Sequence, residues 1–361
     1  MRKRSKILAL LLAMAMTFTL AACGGNSTDD SSDSADTSTT DTKDADTAET
    51  EDADTEDTAS EDTGSDELIV VGFSQVGAES DWRTANTESM QSTFTEENGY
   101  KLIFDDAQQK QDNQITAIRN FIQQEVDYIV LAPTTETGWD TVLQEAKDAE
   151  IPVIIVDRMV DVSDDSLFTA WVGSDFRAEG DKAVAWMEET FADADAVNIV
   201  HLQGTIGSSA QIGRTEALDA GVEANEGWNL LAQQTGEFTQ AKGQEVMESV
   251  LKQNSEIDVV YAENDNMAFG AIDAIEAAGK TVGVDGDIKV ISFDATKAGL
   301  ELVLDGKINY NVECNPLHGP RVAELIEMLE NGETPEQLNY VDEEAFDAAT
   351  FTQGELDARA Y

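Results

Sequence analysis

The sequence predicts an α/β fold: parallel sheets covered by helices on both faces, divided between two domains. Three observations predict it. From Leu68 onward, short β-rich apolar runs alternate with longer stretches of helical periodicity. The runs are almost continuously apolar, as strands buried on both faces must be. About nine of them in ~290 residues exceed one small sheet, which points to two domains.

Element by element, strands are expected at Leu68–Phe73, Leu102–Phe104, Tyr128–Ala132 and Val153–Val156, with helices at Arg83–Glu97, Gln109–Gln124 and Trp139–Ala149. In the second of these helices Ile115, Ile118, Phe121 and Ile122 form one apolar stripe. The rhythm then runs again. Strands are expected at Val197–Leu202, Leu230–Gln233, Val259–Ala262 and Val290–Phe293, and helices at Glu179–Phe191, Gln211–Asn225, Ala241–Gln253 and Met267–Ala278. A last strand, Tyr310–Glu313, precedes a last helix, Arg321–Glu330. Gly99, Gly227 and Gly279 each follow a helical run, where a left-handed cap suits glycine.

Parallel sheets bind ligands beyond the carboxyl ends of their strands, so the residues after each strand carry the functional expectation. Those residues include Gln75, Trp82 and Arg83 after the first strand, Asp106 after the second, Trp139 after the third, and Asp157-Arg158 after the fourth. In the second half they include Arg214, Asn264, Asp294 and Glu313. Carboxylates accept hydrogen bonds, guanidinium groups donate from a planar fork and amides do both. Trp82, Trp139 and Trp171 add flat apolar faces. Acids, amides, guanidinium groups and indoles together suit a polyhydroxyl ligand. Each has a plainer reading as well: an Asp after a strand can be a helix cap, and a Trp can be core.

Enzyme chemistry finds little support. His201 and His318 are the two histidines, and neither sits in a nucleophile pattern. No dinucleotide or P-loop glycine motif occurs. No Cys/His spacing suits zinc, and neither Asp161–Asp165 nor Asp285-Gly286-Asp287 completes a calcium loop. No cofactor and no metal are expected. A net charge of −51 disfavours nucleic acid as a partner.

The N-terminus is a different kind of segment. Four of its first six residues are basic, and an apolar run from Ile7 to Leu20 leads to Leu20-Ala21-Ala22-Cys23. This is the pattern of a secretory signal, too short to span a bilayer as a helix. The ending resembles the bacterial lipobox, which implies that Cys23 carries lipid and anchors the mature chain to a membrane. Cys314 is the only other cysteine, so lipidation leaves no intramolecular disulfide. Asn26 to Glu67 holds 17 acidic residues against Lys43. With almost no apolar bulk, it is expected to remain a disordered tether.

With these residues in place, the chain resembles the solute-binding proteins of sugar importers, of the ribose- and galactose-binding type and most nearly the galactofuranose-binding kind. The resemblance rests on Val71–Gly77, Ser80-Asp81-Trp82-Arg83, Gln108–Gln114, Thr137-Gly138-Trp139, Glu145–Val153 and Val156-Asp157-Arg158, then Leu202–Thr205, Gly243–Ser249, Asn264-Asp265 with Met267, and Val312-Glu313. It implies a type I fold of two lobes joined by three crossings, with the ligand between them. Residues 1–22 would be the signal and 23–66 the tether. Residues 67–173 with 315–340 would form one lobe, and 174–314 with 341–361 the other. The resemblance makes Trp82 and Arg83 the first-lobe aromatic and guanidinium contacts and Asp157-Arg158 the pair gripping ring hydroxyls. Arg214, Asn264 and Asp294 become the second-lobe contacts, and Glu313 stands where many pentose binders carry Gln. The expected function is capture of a monosaccharide, galactofuranose-like or another hexose or pentose such as fructose or ribose, for an ABC permease by a monomer on the outer face of the cytoplasmic membrane. The alternatives are a sugar-sensing protein feeding a membrane kinase, and a surface carbohydrate-active enzyme using Asp157, Asp294 and Glu313. An exported chain without a basic DNA-binding segment does not suit a transcription regulator of the same fold.

Overall fold

The computed structural model describes residues 68–361; the expected signal, Cys23 and the acidic tether lie outside the described residues. The chain runs β1 (Ile69–Gln75), α1 (Asp81–Thr93), β2 (Tyr100–Asp106), α2 (Gln111–Gln123), β3 (Tyr128–Leu131), α3 (Asp140–Asp148), β4 (Val153–Val156) and β5 (Ala170–Gly173). It continues through α4 (Phe176–Thr190), β6 (Val197–Gln203), α5 (Ser209–Ala224), β7 (Trp228–Thr235), α6 (Gln240–Gln253), β8 (Val259–Ala262), α7 (Asp265–Ala277), β9 (Lys289–Asp294), α8 (Lys297–Leu304) and β10 (Tyr310–Glu313). It closes with α9 (Gly319–Glu330), β11 (Leu338–Tyr340), β12 (Ala345–Asp347) and α10 (Gln353–Asp357).

The strands form two six-stranded sheets, ordered β11-β5-β4-β3-β1-β2 and β12-β10-β9-β8-β6-β7. Every pairing is parallel except the β10–β12 edge. Each sheet is buried on both faces. Tyr128 and Val130 pack on one side of β3, Ile129 and Leu131 on the other. In β8, Val259 and Tyr261 divide from Val260 and Ala262 in the same way. Each such aliphatic side chain contributes ~1.5–3 kcal/mol by leaving water. The chain passes between sheets after β5, after β10 and after β11.

Most helix starts lie one to three residues earlier than the apolar pattern indicates, as where polar caps extend them; α2 and α3, without a side-chain cap, start one or two residues later. Ser80 accepts from the Arg83 N–H and Asn264 from the Met267 N–H, so α1 and α7 open at Asp81 and Asp265. Gly99 and Gly279 adopt the left-handed conformation, with φ of 86° and 80°, but Gly227 does not. There a Cβ would stand 2.9 Å from the Asp195 carbonyl oxygen, so close approach is its constraint. Five elements have no counterpart in the sequence reading: β5, α8, β11, β12 and α10. The added strands are three or four residues long, and β11 and β12 lie at the sheet edges.

Candidate functional site

The carboxyl ends of both sheets face one cavity, whose empty space together with its opening to solvent is about 290 Å³. From the first half come Glu79, Ser80, Trp82 and Arg83 at the start of α1, and Asp157-Arg158 just past β4. From the second come Phe176, Ala210, Arg214, Phe238, Asn264, Asp294 and Cys314. Hydrogen bonds between the halves close over it: Asp81 N–H to Asn266 Oδ1 (3.0 Å), Met159 N–H to Ser209 Oγ (2.9 Å) and Glu136 N–H to the Gly207 carbonyl (2.9 Å).

The first half is a bonded ring of charges. Arg83 donates from Nε to Glu79 (3.0 Å), from Nη1 to Gln75 (3.2 Å) and from Nη2 to Asp157 (2.6 Å). Arg158 donates to the Thr134 carbonyl (3.0 Å) and lies 3.5 Å from Glu79 and 3.8 Å from Asp157. Burial alone would raise the Asp157 carboxyl, but Arg83 and Arg158 outweigh it and hold it below the usual range. Trp82 donates from its indole to the Cys314 carbonyl (2.6 Å), and the Arg83 guanidinium covers its ring. Glu79 Oε2 is buried with no hydrogen-bond partner among the described residues, an acceptor left over at the cavity wall.

The second half carries one guanidinium. Arg214 donates to Glu179 (2.7 Å) and to the Glu263 carbonyl (2.5 Å), and lies 3.8 Å from Asp294. The Phe176 and Phe293 rings stack against it. Burial pushes the Asp294 carboxyl well up, and neighbouring acids add to this against Arg214. This favours the protonated form of Asp294, which both donates and accepts. Asn264 spends Oδ1 on the α7 cap and donates from Nδ2 to the Phe238 carbonyl (3.1 Å).

The backbone is strained where these residues turn inward. Asp157, Phe238 and Asp294 have φ of 63°, 61° and 104°, which costs of order 1–3 kcal/mol each and clusters at functional sites. Two glycines make room. A Cβ at Gly173 would stand 2.4 Å from the Asp157 carbonyl oxygen, and one at Gly204 would enter the Phe238 ring, 1.9 Å from its tip.

Seven of the eleven expected contacts line this cavity: Trp82, Arg83, Asp157, Arg158, Arg214, Asn264 and Asp294. The other four stand elsewhere. Gln75 is fully buried behind Arg83, bonded to Asn86 and Thr87 (2.9 and 3.0 Å). Asp106 ends the edge strand β2, outside the cavity and exposed, where its carboxylate accepts from the Gln108 N–H (2.8 Å). Trp139 is core, its indole donating to the Thr135 carbonyl (2.7 Å); Trp171 joins the same cluster. Glu313 is held by the C-terminal segment, accepting from Arg359 (2.5 Å) and Tyr361 (2.6 Å). Cys314, its neighbour, does face the cavity. Among residues the sequence reading missed, Glu79 and Ser80 lie in the same post-strand loop as Trp82, a signal that was present. Phe238 follows a strand that runs two residues beyond its expected end, and that error hid it.

A family model described as a periplasmic binding protein domain matches residues 71–318. The galactofuranose-binding protein YtfQ of Escherichia coli is 42% identical over 274 residues, covering 75% of this chain and 85% of that one. The fructose import binding protein FruE of Bifidobacterium longum is 30% identical across 100% of both chains. A Mycobacterium smegmatis protein solved in complex with β-D-fucofuranose is 46% identical, covering 81% of this chain and 93% of that one, with a TM-score of 0.76.

Proposed function

This chain belongs to the periplasmic binding protein domain family, and we propose that it captures a monosaccharide in furanose form, foremost a galactofuranose-like sugar, and delivers it to an ABC importer. The observation that carries this reading is the cavity wall: three guanidinium forks, one carboxyl held low and one pushed up, a carboxylate oxygen without a partner among the described residues, and an indole. A sugar hydroxyl donates and accepts at once, so Asp157, favoured in its ionised form, the cationic arginines, and Asp294, favoured in its protonated form, meet all its modes. Trp82, Phe176 and Phe238 supply the apolar faces. Relatives described as binding galactofuranose and fucofuranose support the furanose form.

In this reading the two halves, residues 67–173 with 315–340 and 174–314 with 341–361, close on the ligand, whose preference for the closed form drives the change. The importer then meets the closed surface. The protein does no covalent chemistry. It works as a monomer, exported and held by lipid on Cys23 at the outer face of the cytoplasmic membrane, with the acidic segment as its tether. Detergent partitioning tests the anchor: the intact chain should enter the detergent phase and C23S should not.

The ligand is tested by a thermal-shift panel of D-galactose, D-fucose, D-fructose, D-ribose and D-xylose with a stable galactofuranoside. A sugar at a hundredfold excess over its dissociation constant should stabilise the fold by about 2.7 kcal/mol. A panel without any shift would overturn the proposal.

A further inference from the structure

Away from the sugar contacts, the three crossings between the halves meet at one side chain. Glu343 lies between β11 and β12, on the third crossing. Its Oε1 accepts from Ser174 Oγ (2.6 Å), on the first crossing, and from the Asn315 N–H (2.8 Å), on the second. Ser174 in turn stands 3.3 Å from Cys314 Sγ. One carboxyl therefore ties all three strands of the hinge.

The same carboxyl faces a second one. Single oxygens of Glu179 and Glu343 and the sulfur of Cys314 all lie within 4.8 Å of one another. Glu179 is 1% exposed; its Oε2 accepts from Arg214, while its Oε1 is buried without a hydrogen-bond partner among the described residues. Glu179 is buried and Glu343 half-buried, and two carboxylates this close oppose each other's ionisation, since like charges repel strongly where water is scarce. A proton between them removes the repulsion and gives Glu179 Oε1 its donor. Arg214 already serves as the cation of this cluster, which disfavours a metal ion there.

We propose that Glu343 is a positioning residue for ligand binding: it holds a proton against Glu179, locks the three crossings together, and through Glu179 sets the Arg214 guanidinium in the cavity. This rests on the sugar-binding reading only for its last step. Glu179 from α4 opposes its ionisation, and Arg214 from α5 favours it more weakly. Cys314 after β10 is itself pushed well up by burial, and so is neutral. The Lys182 ammonium from α4 is spent on the Glu343 backbone carbonyl (2.9 Å). Burial, then Glu179, raises the Glu343 carboxyl from 4.5 to about 9. A carboxyl raised on folding favours the folded state fully below its unfolded value, and that advantage fades as pH rises through the folded one. The window is thus about pH 4.5 to 9.

The test uses the full chain without sugar, melted across pH 5–9.5, as wild type, E343Q and E343A. Glutamine keeps an acceptor for Ser174 and Asn315 and offers Glu179 a donor that does not titrate. The wild-type midpoint should fall with rising pH more steeply than that of E343Q, and E343Q should be the more stable at pH 8. Parallel pH profiles would overturn the proton. Sugar affinity, measured with whichever panel sugar binds, is the second arm. E343Q should stay within about threefold of wild type at pH 7, and E343A should lose roughly tenfold, as it strands the Glu179 acceptor. E343A with wild-type affinity would overturn the positioning role. Failure of the whole panel would strike the sugar reading and leave the proton to be judged by the melts.

Discussion

The two walls of the cavity solve one problem in opposite ways. On the first, Arg83 and Arg158 meet Asp157 and Glu79, and Asp157 stays ionised because two guanidinium groups face it. On the second, Arg214 alone faces Glu179 and Asp294, and burial leaves both carboxyls raised. The number of cations per buried carboxyl decides which acids keep their charge. A cavity built this way offers acceptors on one side and an acceptor that also donates on the other. A ligand bearing hydroxyls around a small ring uses both, whereas a charged ligand would find one wall wrong.

The contrast can be broken residue by residue. Asp157→Ala should have the largest effect. It leaves two buried guanidinium groups short of their partner, a loss of about 3–5 kcal/mol, so sugar affinity measured by calorimetry should drop more than a hundredfold. Arg214→Lys comes next. A single ammonium cannot serve Glu179, the Glu263 carbonyl and the cavity together, and roughly tenfold weaker binding is expected. The sharpest comparison is between two isosteric changes. Asp294→Asn keeps a neutral group that donates and accepts, the form burial favours there, and should keep affinity within about threefold at pH 7. Asp157→Asn removes a charge that Arg83 and Arg158 need and should cost about 1–3 kcal/mol. Equal effects at the two positions would mean that both acids share one charge state. Asp106→Ala should change affinity least, within error, since it alters only an exposed turn.

Much of this was legible in the chain. Strands such as Val153–Val156 and Val259–Ala262 matched to the residue, because parallel strands buried on both faces must be apolar throughout. Asp157, Arg158 and Asp294 could be found because polar residues directly after such strands have few structural reasons to be there; Arg214, inside α5, was marked by the family resemblance. The same rule misplaced Asp106 and Trp139. It says where a strand ends, not whether that strand is central or at an edge, nor which way a loop turns. Asp106 ends the outermost strand β2, beyond reach of the cavity. Trp139 opens α3 with its ring turned back into the core.

By itself, the sequence determined the alternation of strands and helices, the division into two sheets and the chemical character of the ligand site, because these depend on local pattern and composition. Tertiary structure alone decided which acids are ionised and which of the post-strand residues converge. It also decided that Glu343, Glu179 and Cys314, remote in the chain, share one buried hinge. A carboxyl's charge depends on how many guanidinium groups lie within a few ångströms and how much water remains, and neither is a property of its neighbours in sequence.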